Sequence, residues 1–301
     1  MRYNRGERKV VMADEKSLPS VGLVLEGGGL RGLFTAGVLD VFLKEDIRFP
    51  AVVGVSAGAA FGCNFKSRQA GRPLRYNARY CRDPRFFSLR SLWKTGDLFG
   101  ADFCYRELPL ELDPFDFDTY EADPTEFWAA CTDMATGKTE FFLCSDPDKT
   151  RLMEIFRASA SMPLVSRPVV LDGREYLDGG IADSVPLLFM EEKGFEKNVV
   201  VLTRPRAYRK KKSAALPLIS AKYKKYPALQ AAMARRHEVY NETLALLEKR
   251  EREGRVLILA PEAELPAGRT ERDPEKLRLC HALGERVALT ALPRLRAFLE
   301  K

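Results

Sequence analysis

Apolar and polar positions along this chain change period several times, and each change marks an element. Val21, Leu23, Val24 and Leu25 form a short apolar run that stops at Gly27-Gly28-Gly29. An apolar run this short, closed by glycines, reads as a buried strand. Beyond the glycines, Leu30, Leu33, Phe34, Gly37, Val38, Val41 and Phe42 follow helical spacing, with one face for the core. Arg31, Thr35, Asp40 and Lys44 are expected on the opposite face. A second apolar strand, Ala51-Val52-Val53, leads into Gly54-Val55-Ser56-Ala57-Gly58. Small residues then continue through Ala59, Ala60 and Gly62, as a helix packed closely on a sheet requires.

Further along, Phe127 to Thr132 and Thr139 to Leu143 flank Thr136-Gly137-Lys138 and read as a hairpin. Leu152, Met153, Ile155, Phe156 and Ala160 form an amphipathic helix that Pro163 ends. Pro168 to Leu171 and Arg174 to Leu177 flank Asp172-Gly173, a two-residue hairpin turn, and the second strand runs directly into Asp178-Gly179-Gly180. A helix over 186–193, a buried strand over 199–202, a helix through Leu229, Met233, Tyr240, Leu244 and Leu247, a strand over 256–259 and a final helix complete the chain. This alternation of strands and helices implies a mostly parallel sheet. Residues 67–125 break the pattern. They are rich in Arg, Pro and aromatics and read as a cap over a site, offering aromatic side chains to an acyl chain, or equally as an insertion with its own small core.

Three places carry candidate chemistry. A strand, a glycine turn and a helix start present free backbone N–H groups and a positive dipole end, which hold a phosphate or an oxyanion. Gly27, Gly29 and Gly32 match the spacing G-x-G-x-x-G, so a dinucleotide fold has to be weighed. Its acidic residue at the end of the second strand is absent, because that strand ends in Gly54-Val55-Ser56. No G-K-[ST] follows the glycines either, which excludes a P-loop. Gly54-Val55-Ser56-Ala57-Gly58 is the pattern G-x-S-x-G of a nucleophile elbow, where side chains two places either side of the serine would strike neighbouring backbone. The same serine read as a helix cap would need neither glycine. Asp178 at a strand end is suited to pair with a serine across a cleft; by itself it would read as a turn aspartate.

Taken together and in this order, Gly-Gly-Gly-Leu-Arg-Gly (27–32), Gly-Val-Ser-Ala-Gly (54–58) and Asp-Gly-Gly (178–180) resemble the patatin-like phospholipase family, in its compact bacterial members. Ala158-Ser159-Ala160-Ser161-Met162-Pro163 is similar to that family too, and Ser184 departs from it where many relatives carry Asn. The resemblance covers about residues 20 to 205. It implies a three-layer α/β/α fold around a mostly parallel sheet; the helix, strand and final helix beyond it read as a small C-terminal α/β extension. It also implies a Ser-Asp dyad, with Ser56 as nucleophile and Asp178 as base. The N–H groups of the Gly27–Gly29 turn would bind the oxyanion, with Arg31 supporting the loop, and no metal or cofactor would be needed. The domain reading is a basic tail (1–20), a catalytic domain (21–205, with 67–125 as cap) and a basic linker with the extension (206–301). A Ser-Asp-His triad would need His237 or His281, the only histidines. The first sits on a charged helix face and the second follows Cys280 in another helix, so both read as surface or packing residues.

Composition sets the bounds. With 301 residues and 46% apolar content the chain can bury a full core. Residues 1–20 lack the apolar core of a signal peptide and read as a flexible tail. No run approaches the ~18 apolar residues of a membrane span. Six cysteines without a C-x-x-C pair make neither a zinc pattern nor a disulfide framework, and fit a cytoplasmic protein. The net charge of +7 is concentrated in Arg204 to Lys225, including Arg209, Lys210, Lys211, Lys212, Lys222, Lys224 and Lys225. Beside a lipase-like site that stretch would draw the protein peripherally to an anionic inner membrane surface, at about 1 kcal/mol per basic residue. A solvated linker or a non-specific nucleic-acid patch would look the same, and specific nucleic-acid recognition is not expected. The leading reading is a hydrolase of lipid acyl esters. Its alternatives are a nucleotide-binding protein and a catalytically silent, membrane-associated adaptor, for which an intact Ser56 and Asp178 would serve no purpose.

Overall fold

A computed structural model of the chain describes residues 20–300. The expected tail therefore lies, but for Ser20, outside the described residues. In chain order the elements are β1 (Val21–Leu25), α1 (Leu33–Lys44), β2 (Ala51–Val55), α2 (Ala57–Lys66), α3 (Arg72–Tyr80), α4 (Leu89–Thr95), α5 (Phe117–Ala122), β3 (Glu126–Asp133) and β4 (Thr139–Leu143). They continue with α6 (Lys149–Ala160), β5 (Val169–Leu171), β6 (Arg174–Asp178), α7 (Leu187–Glu192), β7 (Lys197–Val201), α8 (Leu216–Lys222), α9 (Pro227–Arg252), β8 (Val256–Leu259) and α10 (Pro274–Leu299).

The strands form one eight-stranded mixed sheet in the order β5-β6-β3-β2-β1-β7-β8, with β4 paired to β3. From β3 through β8 along that order the pairing is parallel, whereas β4, β5 and β6 pair antiparallel. The parallel strands are buried on both faces, which explains why they read as unbroken apolar runs. Their side chains alternate between two cores. Leu23, Leu25, Val199 and Val201 enter one with Phe34, Phe42 and Phe127. Val24, Val200 and Ile258 enter the other with Met190, Tyr240 and Leu247. The result is the three-layer α/β/α arrangement, with α1, α2 and α10 on one face and α7 and α9 on the other. Asp172 and Gly173 both take positive φ, at 51° and 78°, as the tight turn between β5 and β6 demands.

The main departure from the expected pattern is α1. Most of its supposed outer face is buried, with Thr35 and Asp40 0% and 5% exposed, while Lys44 stays outside and pairs with Glu285. The cover is α10, which crosses α1 so closely that a Cβ on Gly284 would lie 2.0 Å from the Phe34 carbonyl oxygen. Asp40 is satisfied inside this contact by His281, with Oδ2 2.7 Å from Nε2, and by the Gly71 N–H at 2.9 Å. His281 is thus a packing residue of the α1–α10 seam. His281→Ala is expected to cost about 1–3 kcal/mol by stripping a buried carboxylate of a partner, a loss that urea unfolding would read directly.

Residues 67–125 are more ordered than their pattern implied. They fold into α3, α4, α5 and a wide-wound helical stretch, Phe103–Leu112. Phe86, Phe99, Phe103 and Tyr80 stack edge-on within it.

Candidate active site

The sheet register brings the two candidate residues together. On β3, Ala130 pairs with Val55, the residue before Ser56, while its neighbour Cys131 pairs with Asp178. Ser56 and Asp178 therefore sit at strand ends on either side of one strand. Ligands of open α/β sheets bind beyond the carboxyl ends of such strands.

Ser56 occupies the turn from β2 to α2 with φ 55° and ψ −119°. A non-glycine residue held there costs about 1–3 kcal/mol and persists only where its surroundings over-determine it. Here they do. A Cβ on Gly54 would lie 2.6 Å from the backbone of Gly58 and Ala59, and one on Gly58 would lie 2.3 Å from the Leu25 carbonyl oxygen. The Ser56 N–H donates to Ser159 Oγ at 2.9 Å, and that hydroxyl donates to the Ala130 carbonyl at 2.7 Å. Ser159 thus ties the turn to β3 from α6.

Asp178 ends β6. Its N–H donates to the Ser161 carbonyl at 2.8 Å, and its Oδ1 accepts from the Gly180 N–H at 2.8 Å. Gly179 lets the chain pass β3, since a Cβ there would meet the Ala130 carbonyl at 2.2 Å. Burial pushes the Asp178 carboxyl above its ordinary range, while the Ser56 hydroxyl, Arg236 and the Gly180 N–H pull it back down. Ser184, the departure from the common Asn, donates to the Gly180 carbonyl at 3.0 Å and so braces the same turn.

The glycine turn lies against Ser56: a Cβ on Gly27 would fall 2.9 Å from Ser56 Cβ, and one on Gly28 would strike the Thr203 hydroxyl. Among the described residues, no acceptor takes the N–H of Gly27 or Gly28. Gly32 packs on Ala57 at the base of the turn. Arg31 is buried along the wall of a cavity, and its Nε has no hydrogen-bond partner. Burial, with Arg204 and Arg269 nearby, lowers its pKa to about 10.

Ser56 faces two cavities. One, of about 130 Å³, is apolar and lined by Ala57, Phe61, Tyr76, Phe86, Phe99 and Phe156 among others. The other, of about 370 Å³, holds Asp178 and Gly180, the turn residues Gly27, Gly28, Gly29 and Arg31, and a set of charges from later in the chain. Lys210 and Arg236 belong to that set, although the sequence placed the first in a surface run and the second on a charged helix face. Both turn inward. Lys210 Nζ donates to Ser184 Oγ at 3.3 Å and lies 3.8 Å from the centre of the Tyr240 ring. Burial lowers the pKa of both; Arg236 and Arg269 push Lys210 down further, to about 6, and Arg269 also lowers Arg236 while Asp178 raises it. Lys211, Lys212, Lys222, Lys224 and Lys225 remain exposed, while Arg209 is paired to Glu248. Glu26, also unforeseen, accepts from Thr203 N–H and from Tyr240 OH. Neither histidine lines either cavity.

A family model described as patatin-like phospholipase matches residues 23–190, more than half of the chain. The chain belongs to the patatin-like phospholipase family. A second model, described as a domain of unknown function (DUF6363), matches residues 226–300. Among curated family relatives, the uncharacterized protein YjjU of Escherichia coli is 33% identical over 195 residues, covering 62% of this chain and 52% of that protein. An uncharacterized NTE family protein of Mycobacterium tuberculosis is 30% identical, covering 57% of this chain and 45% of its own length. The chain thus spans about half the length of these relatives. The lysophospholipase nte1 of Emericella nidulans is 26% identical over 58% of this chain but only 11% of its own. Among solved structures, VipD from Legionella pneumophila aligns over 90% of this chain and 67% of its own, with a TM-score of 0.43 and 12% identity.

Proposed function

We propose that this protein is a serine acyl hydrolase that cleaves carboxylic esters of lipids of the phospholipid or lysophospholipid class. The observation that carries the reading is the position of Ser56 on a strained turn, at the junction of an apolar and a polar cavity with Asp178 beside it. Family membership and the lysophospholipase among the relatives agree with it.

In this reading the acyl chain lies in the apolar cavity and the ester carbonyl stands over Ser56. Asp178, ionised, takes the Ser56 proton as the oxygen attacks the carbonyl carbon. The oxyanion forms against the free N–H groups of Gly27 and Gly28. Collapse of the intermediate breaks the ester C–O bond, and Asp178 returns its proton to the departing alcohol. Water then attacks the acyl-enzyme, losing its proton to Asp178, and Ser56 leaves protonated as the fatty acid is released. Ser159 and Ser161 take no part in these transfers and hold the two strand ends in place.

Hydrolysis of a short-chain chromogenic ester across pH tests this. Because Asp178 must be ionised and its pKa is raised above 3.8, activity should fall on the acid side with a midpoint above that value. Arg236→Gln removes a cation that favours the ionised form, so the midpoint should move to higher pH. His237→Ala/His281→Ala should retain the limb and the turnover, measured where the variant is folded. A dead but folded histidine variant would overturn the dyad in favour of a triad.

A further inference from the structure

The polar cavity holds more positive charge than its own carboxylates answer. Arg31, Arg204, Lys210, Arg236 and Arg269 line it against Glu26 and Asp178. Arg204 is paired to Glu264 outside. Among the described residues no carboxylate oxygen lies within 4.0 Å of Arg31, Lys210, Arg236 or Arg269, in a protein whose other arginines are mostly paired. Arg31 is 6% exposed with its Nε unpartnered. Lys210 and Arg236 are half-buried and donate only to neutral oxygens, Ser184 Oγ and the Gly180 carbonyl, while Arg269 stands exposed at the rim. A buried cation is stable only when paired or hydrogen-bonded, and basic side chains that converge on a cavity without counter-ions describe a site for an anion.

We propose that this cavity receives the phosphate of a phospholipid substrate, and that Lys210, Arg236 and Arg269 select lipids whose headgroup carries net negative charge. This rests on the acyl-hydrolase reading above. The same walls disfavour a quaternary ammonium. Both oxygens of Glu26 are taken, by Thr203 and by Tyr240. The face of Tyr240, where such a cation would stack, is occupied by Lys210 at 3.8 Å. All three selecting residues come from beyond residue 205, and two lie in the segment matched by the domain of unknown function. The loop bearing Arg269 docks on the glycine turn itself: Leu30 N–H donates to the Arg269 carbonyl at 3.1 Å. That segment thereby acquires a role, as the wall that reads the headgroup while the patatin-like part holds the ester.

The test compares kcat/KM for lysophosphatidylglycerol and lysophosphatidylcholine of one chain length in the same neutral micelles, with a short neutral ester alongside. Thermal stabilisation by sn-glycerol 3-phosphate is measured in parallel. Wild type should prefer the anionic lipid by about tenfold or more, the scale of one charge-assisted contact. Lys210→Met and Arg269→Gln should each move that ratio several-fold toward one, and glycerol phosphate should stabilise wild type more than either variant. Equal rates on the two lipids by wild type, or a fall shared by all three esters in the variants, would overturn the proposal while leaving the hydrolase reading intact. No turnover of any ester, with glycerol phosphate still stabilising wild type alone, would instead sink the hydrolase reading and keep the anion site.

Discussion

Ser56→Ala is expected to abolish turnover of every ester, by about 10³-fold or more in kcat, while the protein stays folded. In the proposed mechanism the serine supplies the bond-forming oxygen, and loss of one member of a unit that acts together removes most of the catalysis. Asp178→Asn should be comparably inactive, because an amide keeps the hydrogen bond from Gly180 but cannot take a proton. The two variants part company in stability. A buried carboxylate whose folded pKa is raised contributes stability that is present below the unfolded pKa and lost as pH rises through the folded one. At neutral pH its charged form therefore opposes folding, and Asp178→Asn should melt at or above the wild-type temperature. Ser56→Ala retains the positive φ of the turn and should leave the melting temperature nearly unchanged. An asparagine variant that was both less stable and still active would contradict the role given to Asp178.

The largest structural effect is expected where α1 and α10 cross. Gly284→Ala places a Cβ 2.0 Å from the Phe34 carbonyl, and Gly37→Ala places one 2.1 Å from the His281 carbonyl. These obstacles are helix backbone, which cannot rotate away as a side chain can, so the helices must separate along their contact. Overpacking commonly costs about 1–3 kcal/mol, and rigid backbone puts these substitutions at the upper end, about 3 kcal/mol. Urea unfolding of both, against Gly268→Ala, where nothing lies within 4 Å of the added Cβ, would measure it. Equal midpoints for all three would mean that the crossing is looser than described.

What the sequence disclosed and what it hid follows the range of the interactions. β1, β2 and the two hairpins were legible because a strand closed by glycine, or two strands around Asp172-Gly173, are local patterns. The tight turn at Ser56 was legible for the same reason: the glycines at 54 and 58 answer contacts with backbone that the strand-turn-helix pattern already brings close. The buried outer face of α1 was not legible, since its cover arrives from Gly284 and His281, and nothing near Thr35 or Asp40 announces it. Nor were the helices of residues 67–125: α3 buries Arg72, Tyr76, Asn77 and Tyr80, α5 buries Tyr120, and α4 buries nothing. Lys210 and Arg236 were hidden in another way. A charge run shows where cations are abundant in the chain, but only tertiary packing decides which of them turns inward. Ser159 was noticed within a motif, and its bridge from Ser56 to Ala130 became apparent only with α6 in place.

The hydrogen bond from Leu30 to Arg269 also bears on the order of events during synthesis. The loop that braces the glycine turn, and the helix that seals α1 behind it, emerge more than two hundred residues after the turn itself. Contacts so distant in sequence close late. Until then the nascent chain carries its serine on an unfinished frame, with the face of α1 that bears Thr35 and Asp40 uncovered. If the acyl-hydrolase reading holds, the chain acquires competence only together with the wall formed by its last hundred residues.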